Sequence, residues 1–167
     1  MSPGATGTVL PARRLREAVI AASAALVPFG LEIIIVASNM RRFGGLSTPS
    51  FAPPIWLAVP VWVGVMVLSA WAFFRVLCRP DYLPDRPGAI RAIGMMLGLG
   101  VVWCWAFFDG RHPTLGLLTG AMTAAAAGLT AWRFTIVDRK AGLLLLPSVL
   151  LILFAALIEL SISVRSG

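Results

Sequence analysis

Five long apolar stretches separated by short polar runs set the pattern of this chain. They fall at about 17–38, 54–77, 89–108, 113–134 and 141–163. Each holds about 20 residues, the length at which a helix rising 1.5 Å per residue crosses a hydrocarbon core. The apolar positions run on continuously instead of alternating, which predicts helices and excludes the period-two strands of a membrane barrel. The breaks carry residues that stop helices: Gly, Ser, Pro and Arg through 39–53, and Pro80, Pro84, Pro87 and Gly88 through 78–88. The expected fold class is an all-α membrane protein, a five-transmembrane-helix bundle over residues 17–163. Residues 1–16 are expected to form a disordered cytoplasmic N-terminus. Arg13, Arg14 and Arg16 ahead of an apolar run imitate a signal peptide. The run reaches Ser38 and lacks a small-residue cleavage site, so a retained first helix is expected.

Composition strengthens the membrane reading. Hydrophobic residues make up 59% of the chain and charged ones 13%, against roughly 25% charged in soluble domains. A soluble fold of this size keeps too much surface in water to hide so many apolar side chains. The net charge of +7 raises nucleic acid as a partner, but the arginines flank apolar runs and form no stripe. Topology signals and contact with anionic membrane lipids are expected instead, with no nucleic acid. With five spans, one side holds Arg13, Arg14, Arg16, Arg75, Arg79, Arg86, Arg91, Arg133, Arg139 and Lys140. The other holds Arg41, Arg42, Arg111 and Arg165. This bias predicts a multi-pass protein of the cell membrane with its N-terminus in the cytoplasm. Cys78 and Cys104 lack metal-like spacing and read as free thiols, and the single histidine, His112, reads as a solvated loop residue. No metal site and no cofactor are expected. Small residues at Gly120, Ala124–Ala127 and Gly128 let helices approach closely and would permit a homodimer.

Three motifs add a family resemblance. The second span opens Phe51-Ala52-Pro53-Pro54-Ile55-Trp56, then Pro60 and Trp62. The third ends Trp103-Cys104-Trp105-Ala106-Phe107-Phe108. The fifth reads Ala141-Gly142-Leu143-Leu144-Leu145-Leu146-Pro147, then Phe154-Ala155 and Ile158-Glu159. Across residues 20–163 their order and spacing resemble the TspO/MBR family of translocator or tryptophan-rich sensory proteins. The resemblance implies a five-helix bundle of the TspO/MBR type around an apolar cavity, with residues 39–53 as an outer lid. It implies a hydrophobic small molecule as partner, lipophilic or tetrapyrrole-like, bound for transport or sensing. Trp56, Trp62 and Trp103 fall on family motif positions. With Val59, Leu118, Met122, Ala155 and Ile158 they are expected to line the cavity. Four places depart from the family pattern. Arg42-Phe43 stands for a Trp-Tyr pair, Gly100 for an Asn, Ser148 for a Tyr and Glu159 for an Asn.

Candidate chemistry rests on two of the seven acids, Glu32 and Glu159, which lie deep in spans. An ionisable group inside a membrane is costly and marks a functional site by default. Glu32 lies roughly 9 Å below the outer end of its span and Glu159 roughly 6 Å below its own, so both sit at similar depth. Two readings stay open. In one, an acid pairs with Arg41 or Arg42, beside Asp109 on the same membrane side, and pins the lid. In the other, the two carboxyls meet in an apolar pocket, where desolvation and like charge keep one protonated. They would then act as acid and base in an isomerase or cyclase for a terpenoid or polyketide. Trp56, Trp62, Trp103 and Trp105 would stabilise a developing carbocation through their π faces. Trp71 and Trp132 read as interfacial anchors.

Overall fold

The computed structural model describes residues 9–43, 53–109 and 113–166. Helix α1 spans Val9–Phe43, α2 Ile55–Leu77, α3 Arg86–Cys104, α4 Pro113–Val137 and α5 Arg139–Ser166, with a π-helical turn, Trp105–Asp109, continuing α3. Each of the five holds an apolar segment long enough to cross a membrane: Ala12–Asn39, Leu57–Leu77, Arg86–Asp109, Thr114–Val137 and Arg139–Ser161. The protein is a multi-pass membrane protein.

Three boundaries differ from the sequence reading. Residues 9–16, expected to be disordered, belong to α1. The stretch holds Arg, Leu and Ala, which favour helix, and its one proline is near the helix start, where it is tolerated. At its other end α1 runs to Phe43, so the first residues of the expected lid are helical. Residues 44–52, most of the remainder of that lid, lie outside the described residues. Helix α3 starts at Arg86, three residues earlier than expected, because Pro87 falls in its first turn, where a missing N–H costs nothing.

The helices close into a ring in the order α1, α2, α5, α4, α3, with α4 against α5 as the tightest pair. One residue, Asp138, separates those two helices. A Cβ on Gly142 would lie 2.8 Å from the Thr135 backbone nitrogen and 2.9 Å from its Cα, so the hairpin closes only over a glycine. Asp138 ends the turn with both oxygens engaged. Oδ1 accepts from the backbone N–H of Lys140 and Ala141, capping α5. Oδ2 accepts from Arg75 at 2.8 Å and Arg79 at 2.7 Å, tying α2 to the hairpin. At the same end Arg86 reaches the carbonyls of Val76 and Leu77 and pairs with Asp81. The dry core lies at this basic half, where Ala72, Phe73, Val76, Ala89, Ile93, Ala127, Phe134 and Leu145 interdigitate. Val27, Ile34, Val67 and Leu150 point out of the ring, as a hydrocarbon solvent requires.

Candidate functional site

The helical period turns one stripe of each helix toward the ring's interior. Ala25, Phe29 and Glu32 face in from α1, Trp62, Val65, Met66 and Ser69 from α2, and Met96, Leu97, Gly100 and Trp103 from α3. Thr123 joins from α4, and Ser148, Leu151 and Ile152 from α5. Together they enclose a cavity of about 100 Å³ in which Glu32 is the one ionisable group among the described lining residues. Phe29 meets Trp62 edge-on at 5.8 Å, closing the α1–α2 side. Ser69 donates to the Val65 carbonyl and shares a 2.8 Å bond with Ser148. A hydroxyl has one proton, so Ser148 is the donor in that shared bond.

The two acids sit in separate niches, each opened by glycine. A Cβ at Gly100 would stand 2.8 Å from Glu32 Oε1. Glu159 lies against α4. A Cβ at Gly116 would collide with its Oε1, and one at Gly120 would lie 3.1 Å from its Oε2. Glu159 is 1% exposed. Its Oε2 accepts the indole N–H of Trp103 at 2.8 Å, and its Oε1 has no hydrogen-bond partner among the described residues. Trp103 therefore belongs to both places: its ring lines the cavity and its N–H holds Glu159. The ring also stacks on Phe107 at 6.3 Å, within the π turn. Such turns widen a helix by one residue and recur at functional sites.

The expected site residues divide accordingly. Trp62, Trp103 and Glu32 line the cavity. Glu159 is not in its wall; its described partner is the Trp103 indole. Val59, Leu118 and Met122 point outward and are half-exposed or more. On α4 the inward face is taken by Thr119 and Thr123, which turns Leu118 and Met122 to the lipid side. Ala155 and Ile158 are half-buried and are not among the residues of the cavity wall. Trp105 is half-exposed on the outside of the ring, and Asp109 is exposed at the end of the π turn. The side chains of Trp56, Arg41 and Arg42 lie outside the described residues. Sequence reasoning gave no role to Phe29, the Ser69–Ser148 bond or the Gly116 niche. Each depends on a neighbour from another helix, a relation that spacing along one chain does not carry.

Residues 19–165 match the TspO/MBR family. Over 119 residues the chain is 32% identical to a tryptophan-rich protein TspO of Chlorobaculum tepidum, covering 70% of this chain and 74% of that one. Over 142 residues it is 30% identical to a tryptophan-rich protein TspO of Archaeoglobus fulgidus, covering 81% and 87%. Over 125 residues it is 27% identical to a translocator protein of Sus scrofa, covering 73% of each. A ring of five apolar helices around a tryptophan-lined cavity and a family match spanning nearly the whole sequence agree: this chain belongs to the TspO/MBR family.

Proposed function

We propose that the protein binds a small lipophilic molecule inside the helix ring and holds it by a hydrogen bond to Glu32, for transport or sensing. The observation that carries this reading is a single carboxyl group among the described lining residues of a mostly apolar central cavity. In such a place a ligand that supplies a hydrogen-bond donor relieves the acid of its desolvation cost, and a purely apolar ligand does not. The cavity size bears on ligand class. About 100 Å³ is well below the ~300–1,000 Å³ of pockets for drug-sized ligands. A single ring or short chain fits it as it stands, and a tetrapyrrole requires α1 and α2 to part at the Phe29–Trp62 contact. Acid–base catalysis by Glu32 and Glu159 needs both carboxyls on one substrate. The position of Glu159 behind Trp103 favours binding over that chemistry. The excess of arginines where α1 begins favours an N-terminus in the cytoplasm of a cell-membrane protein, with the cavity toward the opposite face.

The test uses protein in lipid nanodiscs, titrated with a lipophilic aromatic amine and its neutral ether isostere while tryptophan fluorescence is followed. The amine should bind more tightly, and Glu32→Gln should weaken it about tenfold or more while leaving the ether unchanged, since hydrogen bonds to charged groups are worth about 1.5–3 kcal/mol. An unchanged amine-to-ether ratio in Glu32→Gln would remove Glu32 from the proposal.

A further inference from the structure

A second concavity lies outside the ring, between α4 and α5, and differs in kind from the central one. Gly128, Ala131, Trp132 and Thr135 form one wall, and Leu143 and Leu146 are prominent in the other. It measures about 270 Å³ and is almost wholly apolar. The α4 wall spans one helix face over roughly 10 Å, with glycine and alanine where the facing helix carries leucine, so the hollow opens toward the lipid phase. Its basic end is where the chemistry changes. Arg139 and Lys140 are exposed in the first turn of α5, and Arg139 lies one turn before Leu143 on the same face. Arg133 lays its guanidinium over the Trp132 ring at 5.3 Å but on the α3 side, where a Cβ on Gly88 would stand 2.8 Å from its Nη1. None of these three cations has a carboxylate partner among the described residues. The nearest acid in sequence, Asp138, is committed to Arg75 and Arg79.

We infer that this groove binds one acyl chain of an anionic phospholipid whose phosphate is held by Arg139 and Lys140. The occupant follows from three features together. The groove is apolar and faces the hydrocarbon. Its mouth lies at a span end, where headgroups sit. Two unpaired cations, Arg139 and Lys140, stand in the first turn of α5 at that mouth, near an exposed tryptophan of the interfacial type. A neutral lipid would leave Arg139 and Lys140 unanswered, and a second copy of the chain would bring its own two cations against them if paired through the same face.

Native mass spectrometry of the full chain in detergent, with equimolar phosphatidylglycerol and phosphatidylcholine of the same acyl chains, tests this. Wild type should retain phosphatidylglycerol about tenfold or more over phosphatidylcholine, and the preference should collapse near 1 M salt, where the Debye length is about 3 Å. The combined variant Arg139→Gln, Lys140→Gln should lose the preference. Gly128→Phe fills the groove from a position where a Cβ meets nothing within 4 Å, and should lower phosphatidylglycerol occupancy with an unchanged circular dichroism spectrum. Equal retention of the two lipids by wild type overturns the inference, as does a preference indifferent to salt or full occupancy in Gly128→Phe. So does a lipid-free dimer that Gly128→Phe dissociates, since a second copy would then be the occupant. The salt titration needs no variant and decides the matter even where a variant fails to fold.

Discussion

Replacing Trp103 by Phe removes the one hydrogen bond described for the Glu159 carboxyl. Glu159 is buried and its Oε1 is already without a partner, so the variant leaves a whole carboxyl unsatisfied between α3 and α4. Leaving a buried acceptor unpaired costs about 1–3 kcal/mol, and the smaller ring adds a void costing about 1 kcal/mol more. The expected loss is therefore about 2–4 kcal/mol. Glu159→Leu does the opposite to the same contact. It deletes the unsatisfied oxygen along with the satisfied one and leaves the half-buried Trp103 N–H without its acceptor, a cost of about 1 kcal/mol that the relief of a buried, half-satisfied carboxyl offsets. Its expected effect is within about 1 kcal/mol of zero. In the double variant, the loss of the indole no longer strands a carboxyl, so the two changes should be non-additive by about 1–2 kcal/mol, near the upper end for hydrogen bonds within membranes. Unfolding by titration with sodium dodecyl sulfate, followed by circular dichroism, measures all four corners of the cycle. Additivity to within about 0.3 kcal/mol would refute the contact. A Glu159→Leu that loses as much as Trp103→Phe would refute the claim that the acid is a cost held in place by its donor.

Two further substitutions follow from the basic end. Burial alone would raise the Asp138 pKa, but hydrogen bonds from Arg79 and the Ala141 backbone and the charges of Arg75 and Arg79 outweigh it and hold the carboxyl below its ordinary value. A depressed value means stabilisation that is complete above the unfolded pKa of about 3.9 and is lost as pH falls through the folded value. Asp138→Asn should therefore cost about 1–3 kcal/mol at pH 7, less than a fully buried pair because both arginines are partly exposed. That gap should shrink only below about pH 4, and a gap closing between about pH 5 and 8 would contradict the assignment. Gly142→Ala should destabilise by about 1–3 kcal/mol, because its Cβ meets the Thr135 backbone, which cannot step aside. Gly88→Ala, whose one close neighbour is the mobile end of Arg133, serves as the comparison, and equal losses at the two glycines on thermal unfolding would refute the argument.

The sequence carried the fold further than the site. Five apolar runs of spanning length and the proline-rich breaks between them leave few alternatives to a helical bundle, because backbone in lipid must satisfy its own hydrogen bonds. The boundaries slipped where a rule of composition met a rule of position. Arg13, Arg14 and Arg16 look like a soluble tail, yet their long stems extend a helix without cost, and Pro87 looks like a stop, yet serves as a start. The acids Glu32 and Glu159 were legible because charge in a span is rare, but their relation was not. Depth along two helices gave them a common level, whereas the rotation of each helix decides which neighbour a side chain meets. The same rotation misplaced Leu118 and Met122, whose apolar character suits a cavity wall and a lipid face equally. Asp138 lay beside Arg139 and Lys140 in the sequence and would have been paired with them by proximity. Its arginine partners come from the end of α2 and the turn just after it instead.

The acids and the glycines form one arrangement. Where the family pattern has an Asn, this chain has Gly100, and the space opposite takes the carboxyl of Glu32. Where the family pattern has a second Asn, this chain has Glu159, and its two oxygens lie against Gly116 and Gly120. An acid placed without its glycine would strike a Cβ on the facing helix at both sites, so each acid depends on a residue of a different helix. The niches are not equivalent to a ligand. Glu32 stands in the cavity wall, within reach of a molecule placed there. Glu159 stands behind the indole of Trp103, and its bonded oxygen becomes available only when that indole turns away. A ligand that swings Trp103 therefore strands Glu159 unless it brings a donor of its own. A molecule with donors at two separated points satisfies both acids, and one with a single donor satisfies Glu32 and leaves Trp103 in place. The spacing of donors on the ligand, rather than its bulk alone, is the property by which this ring would discriminate.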